Sequence, residues 1–115
     1  MGLPRLNRLT KSDNFSRIKK RGKKVFSGGL IFYICPTAQN TSRLAVVCSS
    51  KLAGARKRNR IKRLIREVFR LNSGRFIKNA DIIAIPQNNA VPSINYSYVE
   101  KHFFEVMKKA GILKI

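Results

Sequence analysis

The segment from residue 56 to residue 71 constrains the fold most, because its apolar residues recur at the spacing of one helix face. These residues are Ile61, Leu64, Ile65, Val68 and Phe69. Positions i, i+3, i+4, i+7 and i+8 form a stripe that is broad enough to pack against a sheet. We therefore predict an amphipathic helix over residues 56–71 with one side in the core.

The side of this helix opposite the apolar stripe is strongly basic, and Glu67 is the one acid between Lys51 and Arg70. The basic residues of the stretch are Lys51, Arg56, Lys57, Arg58, Arg60, Lys62, Arg63, Arg66 and Arg70. On a helical wheel, Arg56, Asn59, Arg63, Arg66 and Arg70 lie opposite the stripe, and Arg60 and Lys62 flank it. A merely solvated face is the ordinary alternative for a charged helix. Like charges at these spacings destabilise a helix by roughly 0.2–0.5 kcal/mol per pair, so a ridge of nearly one sign indicates an anionic partner.

The whole chain is basic, with 25 Lys and Arg against 5 Asp and Glu and a formal net charge of +20 over 115 residues. Such a chain repels itself unless a polyanion neutralises it. Acidic membranes and acidic proteins are the other candidates, but nucleic acid has the highest line density of charge and the largest counterion release. The length and the 43% hydrophobic content predict one domain over residues 1–115, with residues 1–9 as a basic arm.

The first half of the chain predicts a helix followed by three strands. These elements are a helix over residues 10–21 and strands over residues 23–27, 30–35 and 44–48. Gly22 is expected to cap the helix at its C-terminus. Gly28 and Gly29 readily supply the positive φ angles of a tight hairpin. The short apolar run 44–48 suits a central strand that is covered on both faces.

The second half adds the amphipathic helix, a strand and a last helix. Residues 81–85 predict a buried strand before Pro86. We predict a last helix over residues 95–110, with a packed face and with a capping box formed by Ser97 and Glu100. That face consists of Val99, Phe103, Val106 and Ala110. The order α-β-β-β-α-β-α predicts an α+β fold, a single-domain α/β sandwich of three helices and a mixed sheet of about four strands, with one open face.

An aromatic residue on the second strand favours RNA over DNA as the partner. Phe32 and Tyr33 are adjacent, so their side chains point to opposite faces of the strand. One of them can fill the core while Tyr33 stacks on an unpaired base. A half-buried tyrosine with a satisfied hydroxyl is the open alternative. Phe15 has the same ambiguity, with the core role favoured.

The sequence gives little support to catalysis by the protein itself. A two-metal nuclease needs clustered carboxylates, whereas the acids here are scattered. They are Asp13, Glu67, Asp81, Glu100 and Glu105. His102 is the one histidine and lies beside the packed face of the last helix, where a general-base role is not expected. Cys35 and Cys48 have neither CxxC spacing nor partner histidines, which argues against a zinc site.

The same two cysteines are informative about the cellular compartment of the protein. Cys35 and Cys48 each lie in an apolar run, where free thiols act as small buried hydrophobic groups, and this fits a reducing cytoplasm. Residues 1–8 have no apolar signal region, and no run reaches the roughly 20 apolar residues that a membrane span needs. We therefore expect a cytoplasmic protein with no membrane partner.

The run 58–67 resembles a family signature. Its residues are Arg58-Asn59-Arg60-Ile61-Lys62-Arg63-Leu64-Ile65-Arg66-Glu67, and they resemble the signature of the protein subunit of bacterial ribonuclease P. Flanking features agree with this family over roughly residues 6–110. They are Arg8-Leu9, Phe15, Gly22, Tyr33, Ser49, Lys51 and Asp81-Ile82-Ile83.

The resemblance implies a ribonucleoprotein that removes the 5′ leader of precursor tRNA. A large RNA would bind the magnesium ions and perform the cleavage, so the protein alone would hold no cofactor. Its partners would be this catalytic RNA and precursor tRNA, and no oligomer is indicated. The implied contacts to the catalytic RNA are Arg58, Asn59, Arg60, Lys62, Arg63 and Arg66, to which we add Arg56 and Lys51. The implied leader cleft, between the first helix and the sheet, contains Phe15, Lys19, Tyr33 and Ser49. The family also implies a left-handed crossover before the last strand, against the usual right-handed rule.

The chain departs from the family pattern at several positions. Ala53 occupies a position where the family usually has glycine, and Gly54 follows it. A rearrangement of the turn into the helix by one residue is therefore compatible with the sequence. Arg56 replaces a small apolar residue, and Ser50 replaces a common lysine. Lys19 lies where a second cleft aromatic is frequent, which suggests that it grips phosphate. The rival hypotheses are a structural protein of the ribosome, which gives no reason for this Arg-Asn-Arg helix, and a protein-only nuclease.

Overall fold

The amphipathic helix forms as expected and packs its apolar stripe against a four-stranded sheet. The structure is a computed structural model that describes residues 3–10 and 15–113. Its helices are α1 (Phe15–Arg21), α2 (Ala55–Asn72) and α3 (Tyr96–Lys109), and its strands are β1 (Lys23–Ser27), β2 (Leu30–Pro36), β3 (Arg43–Val46) and β4 (Ala80–Pro86). The predicted element order and the α+β class are confirmed. Residues 11–14 of the predicted first helix lie outside the described residues.

The sheet is mixed, with the strand order β1-β2-β4-β3. The pairs β1–β2 and β2–β4 are antiparallel, and β3–β4 is parallel. The connection from β3 through α2 to β4 is therefore the predicted parallel crossover. Its left-handed sense stays an expectation from the family resemblance.

The prediction of a central strand at residues 44–48 is wrong, because β3 lies at the edge of the sheet and β4 is central. The open side of β3 is covered by the N-terminal arm. Arg8 forms a parallel bridge with Leu44, and the Leu9 N–H donates to the Leu44 carbonyl at 2.9 Å. Leu3 and Leu9 are buried in this arrangement. The arm thus provides the cover that a neighbouring strand was expected to give.

The two faces of the sheet carry separate apolar clusters. Helices α2 and α3 cover one face, where the rings of Phe32 and Phe103 meet edge to face with centroids 6.0 Å apart. Helix α1 packs on the other face through Ile18, and Tyr33 belongs to this second cluster. Phe32 and Tyr33 therefore lie on opposite faces, as predicted.

Glycines permit two close approaches around β1. Gly28 and Gly29 have φ angles of 59° and 78°, as the hairpin prediction requires. Gly22 follows α1, and its N–H donates to the Ile18 carbonyl at 2.7 Å. A Cβ at Gly22 would lie 2.9 Å from the Ile34 carbonyl oxygen, so this position needs glycine for space.

The predicted capping box of the last helix is wrong. Asn95 is the N-cap of α3, and its side-chain oxygen accepts from the Tyr98 N–H at 2.8 Å. Asparagine suits this position because its short side chain reaches the free N–H groups of the first turn. Ser97 lies inside the helix and is exposed.

None of the helices within the described residues is both long enough and apolar enough to cross a membrane.

Candidate nucleic-acid interface

The outer side of α2 carries a ridge of cations. Ile61, Ile65, Val68 and Phe69 are fully buried, and Leu64 packs partly buried against the same core. The exposed residues on the other side of the first four turns are Arg56, Lys57, Asn59, Arg60, Arg63 and Arg66. We call these six residues, together with the half-buried Arg58 and Lys62, the α2 ridge. The predicted separation of apolar and basic sides is confirmed by this burial.

The cations in the first turn of α2 are electrostatically unfavourable for the helix. Gly54 is the N-cap and offers no side-chain hydrogen bond, and the first turn has no acid. Arg56, Lys57 and Arg58 stand there instead, at the positive end of the helix macrodipole. A bound anion would relieve this repulsion.

Every acid within residues 15–113 is engaged away from the ridge. Glu67 pairs with Arg70, which lies one turn beyond the end of the ridge. The hydrogen bond from Arg70 lowers the pKa of Glu67 below its ordinary value. Asp81 accepts two bonds of 2.9 Å from Arg43. Glu105 accepts from the Ser27 hydroxyl at 2.9 Å. Burial and the negative charge of the nearby Glu100 raise the pKa of Tyr96, which places this acid beside α3. The positive charge of the ridge is therefore uncompensated within the described part of the chain.

Two ridge residues also have structural contacts. The Arg58 guanidinium donates to the carbonyls of Ser50, at 3.1 Å, and Ala53, so it braces the loop before α2. Arg60 donates to the Ile94 carbonyl at 3.5 Å. In the same loop, the Ser49 hydroxyl accepts from the Lys51 N–H at 3.2 Å, and both side chains are exposed.

A cleft of about 600 Å³ lies beside the ridge. Its lining residues are Leu3, Arg8, Leu9, Thr10, Phe15, Leu44, Ala45, Val46, Val47, Cys48, Lys62 and Arg66. The lining combines apolar side chains of β3 and the arm with the cations Arg8, Lys62 and Arg66. Apolar surface next to cations suits a single-stranded nucleic acid, whose bases and phosphates need different environments.

The expected leader-cleft residues are only partly brought together. Phe15 lines the cleft, whereas Tyr33, Lys19 and Ser49 are not among its lining residues. Tyr33 and Phe15 pack against one buried cluster under α1, so they lie on the same face of the sheet. The Lys19 ammonium is 5.8 Å from the centroid of the Tyr33 ring, and Ser49 directly follows the lining residue Cys48.

Sequence reasoning missed Arg8, Thr10, Val47 and Cys48 as cleft residues. Arm residues have no periodicity that reveals their partner, and only the pairing of Arg8 with Leu44 places them here. Cys48 was predicted as a buried thiol and is half-buried. Burial raises the pKa of this thiol, and the nearby positive charges of Lys62, Arg58 and Arg66 oppose the rise.

Possible metal ligands are dispersed over the described chain. Within residues 3–10 and 15–113, no three His, Cys, Asp or Glu side chains come together in a group that could hold a metal ion. His102 contacts the Ser27 hydroxyl through Nδ1 at 2.7 Å and packs against Tyr98, which ties α3 to the β1–β2 hairpin.

Comparisons with known proteins agree over nearly the whole chain. A family model described as Ribonuclease P matches residues 3–111. The ribonuclease P protein component of Clostridium botulinum (strain Loch Maree / Type A3) is 36% identical over 107 residues, which cover 92% of this chain and 96% of the relative. That of Alkaliphilus oremlandii is 31% identical over 108 residues, covering 94% of each chain.

Solved structures give the same result. The Staphylococcus aureus RNase P protein superimposes with a TM-score of 0.82 at 30% identity, covering 94% of this chain and 98% of that one. The RNase P protein from Thermotoga maritima, solved in complex with 1-(4-fluorophenyl)-2-thiourea, gives a TM-score of 0.80 at 28% identity, with coverages of 89% and 98%.

Proposed function

The chain belongs to the ribonuclease P protein family, and we propose that two parts of its surface bind two different RNAs. It is the protein component of a ribonucleoprotein endoribonuclease that acts in tRNA 5′ processing. Its partner in that particle is an RNA.

The α2 ridge and Lys51 bind the catalytic RNA in this proposal. One observation carries it: the exposed cations of α2 lie opposite a buried apolar stripe, and the described acids are engaged elsewhere. Arginine grips phosphate oxygens in pairs through its planar guanidinium. Arg56, Arg63 and Arg66 are exposed enough to do so, and Asn59 lies between them with a neutral amide. Arg58 and Lys51 act from the loop end of the ridge.

The 5′ leader of precursor tRNA occupies the cleft and the neighbouring sheet face. Phe15 and Tyr33 offer aromatic surface to unpaired bases, and Ser49 offers a hydroxyl from the loop between β3 and α2. The Lys19 ammonium near the Tyr33 ring is placed to meet the phosphate of a stacked nucleotide. Lys62 and Arg66 line the cleft and belong to the ridge, so one strand can run from the catalytic RNA surface into the cleft.

The protein supplies binding, while magnesium held by the partner RNA supplies the hydrolysis. Within residues 15–113, the acids that could hold a metal are engaged in structural contacts, such as the pair of Asp81 with Arg43. The protein's contributions are leader affinity, discrimination of precursor from mature tRNA, and screening of repulsion between the two RNAs. Cys35 and Cys48 are free thiols, which fits the reducing cytoplasm where we place the particle.

A reconstitution assay tests this division of labour. The purified protein with magnesium and precursor tRNA should give no cleavage, and adding catalytic RNA at low magnesium should restore it. Robust cleavage by the protein alone would overturn the proposal. Tyr33→Ala should weaken holoenzyme binding of leader-bearing tRNA by about 1–3 kcal/mol and spare mature tRNA. An equal loss on both substrates would assign Tyr33 to the core instead.

A further inference from the structure

A strip of apolar side chains crosses the sheet next to the proposed leader site. Phe26 on β1 pairs in register with Ile31 on β2, and Ile31 pairs with Ile85 on β4. The Val47 N–H donates to the Ala84 carbonyl at 2.9 Å, which places Val47 beside Ile85. Side chains alternate between the faces of a strand, so these four lie on the same face as Tyr33. We call Phe26, Ile31, Ile85 and Val47 the sheet strip.

Helix α1 covers the sheet strip only in part, since Ile31 and Ile85 are half-buried and Ile85 packs against the cluster under α1. In the next row of the sheet, Ile83 is completely buried under α1. In the strip, by contrast, Phe26 is 67% exposed and Val47 is 36% exposed. Contiguous apolar surface of this kind marks binding sites more often than single exposed residues do.

The β1 end of the strip forms a hollow of about 280 Å³. It is lined by Lys24, Phe26, Gly29, Ile31 and Gln87. The Gln87 N–H donates to the Gly29 carbonyl at 2.8 Å, so this residue is held against the hairpin while its side chain stays exposed. The hollow thus brings together an aromatic ring, an amide and an ammonium group.

We propose that this hollow binds an unpaired nucleobase of the RNA strand that passes Tyr33. The base stacks on Phe26, the Gln87 amide contacts the base edge, and Lys24 meets the adjoining phosphate. An aromatic surface next to cations is the usual combination in sites for single-stranded nucleic acid. The inference rests on the proposed function, because it extends the leader site beyond the cleft.

Charge and continuity identify RNA as the occupant. The ammonium groups of Lys19 and Lys24 both lie 5.8 Å from the centroid of the Tyr33 ring, so positive charge stands next to the strip. A second copy of this chain would bring the same net charge of +20. Lys24 lies opposite Tyr33, and Phe26 is two residues further along β1, about 7 Å away along the strand. At the other end of the strip, Val47 lines the cleft.

The test measures holoenzyme affinity for precursor tRNAs whose leaders are shortened one nucleotide at a time. Phe26→Ala should lower affinity roughly 5- to 150-fold for leaders long enough to reach the hollow. Shorter leaders and mature tRNA should bind unchanged. Phe26→Tyr should retain the affinity for long leaders. Phe26→Leu should lower this affinity nearly as much as Phe26→Ala, because leucine has no aromatic face. Ile77→Ala is the matched control, since Ile77 is 60% exposed and lies outside the strip.

The comparison with Tyr33→Ala separates the two levels of the proposal. If Tyr33→Ala weakens leader binding and Phe26→Ala has no effect at any leader length, the hollow is not a base site and the leader cleft stands. If Phe26→Ala acts only on long leaders while Tyr33→Ala does nothing, the hollow stands and the assignment of Tyr33 fails. Concentration-dependent dimers that Phe26→Ala abolishes, without any leader-length effect, would overturn the inference in favour of a second copy.

Discussion

Lys62 and Arg66 lie one helical turn apart on α2, and both line the cleft beside the ridge. Arg63, between them in sequence, is exposed and is not among the cleft's lining residues. Adjacent cations of one helix therefore face different parts of the surface. In the proposed arrangement, a strand bound in the cleft would meet Arg66, and Arg63 would contact the catalytic RNA.

Alanine substitutions at these two arginines should separate the two RNA contacts. Arg66→Ala should weaken binding of the catalytic RNA and also the leader-dependent part of precursor tRNA binding, by about 1.5–3 kcal/mol for a lost charge-assisted contact. Arg63→Ala should weaken binding of the catalytic RNA alone. Affinities of the protein for catalytic RNA, and of the holoenzyme for precursor and mature tRNA, measure both effects. Identical profiles for the two variants would contradict the placement of Arg66 in the cleft.

Cys48 provides a chemical probe of the cleft. Burial raises the pKa of its thiol, so less thiolate is present at a given pH than in a free cysteine, and labelling should be slow near pH 7. The labelling rate should rise as the pH approaches that raised pKa. In the holoenzyme, leader-bearing tRNA should slow the reaction with a maleimide and mature tRNA should not. Cys48→Ser, which retains only the buried Cys35, is the control. Equal labelling with both tRNAs would place the leader elsewhere.

Asp81 should be the most important acid for stability. Its carboxylate is 2% exposed, accepts two bonds from Arg43, and lies 3.6 Å from Arg17. Asp81→Ala should lower the free energy of unfolding by about 3 kcal/mol, because the Arg43 guanidinium, 15% exposed, loses its carboxylate. Urea unfolding measures this change. Glu67→Ala removes an acid from an exposed pair and should leave the midpoint nearly unchanged. Equal effects of the two substitutions would contradict a structural role for Asp81.

The hairpin contact between Gly28 and His102 can be tested with a double-mutant cycle. A Cβ on Gly28 would overlap the His102 imidazole, and the φ angle of Gly28 is 59°. Gly28→Ala should therefore lower the free energy of unfolding by more than the roughly 1–2 kcal/mol that an alanine in the left-handed backbone conformation costs. In the His102→Ala background the overlap disappears, and the cost of Gly28→Ala should fall to about that value. Unfolding free energies that add without coupling would show that the ring does not limit this position.

The periodic parts of the fold could be predicted from the sequence. The helix over residues 56–71 differs from α2 by one residue at each end, because its stripe and its charges specify the same orientation. The hairpin followed from two adjacent glycines. The rank of β3 in the sheet could not be predicted, since an apolar run indicates burial without saying whether a strand or the N-terminal arm covers it.

The candidate site was predictable to a similar extent. The ridge cations follow from a helical wheel, but the bracing of the loop by Arg58 depends on where the carbonyls of Ser50 and Ala53 come to lie. The cleft combines the arm, β3 and α2, and the sheet strip combines three strands with the residue after β3. Both depend on long-range pairing, which no local pattern encodes.

Salt dependence of binding to the catalytic RNA tests the central claim, that the α2 ridge contacts phosphates, most directly. In a log–log plot of affinity against salt, Arg56→Ala and Arg63→Ala should each make the slope shallower by roughly 0.7–0.9. Lys101→Ala removes the same charge from the exposed side of α3 and should leave the slope unchanged. Unchanged slopes in the ridge variants, or an equal change in Lys101→Ala, would contradict the account.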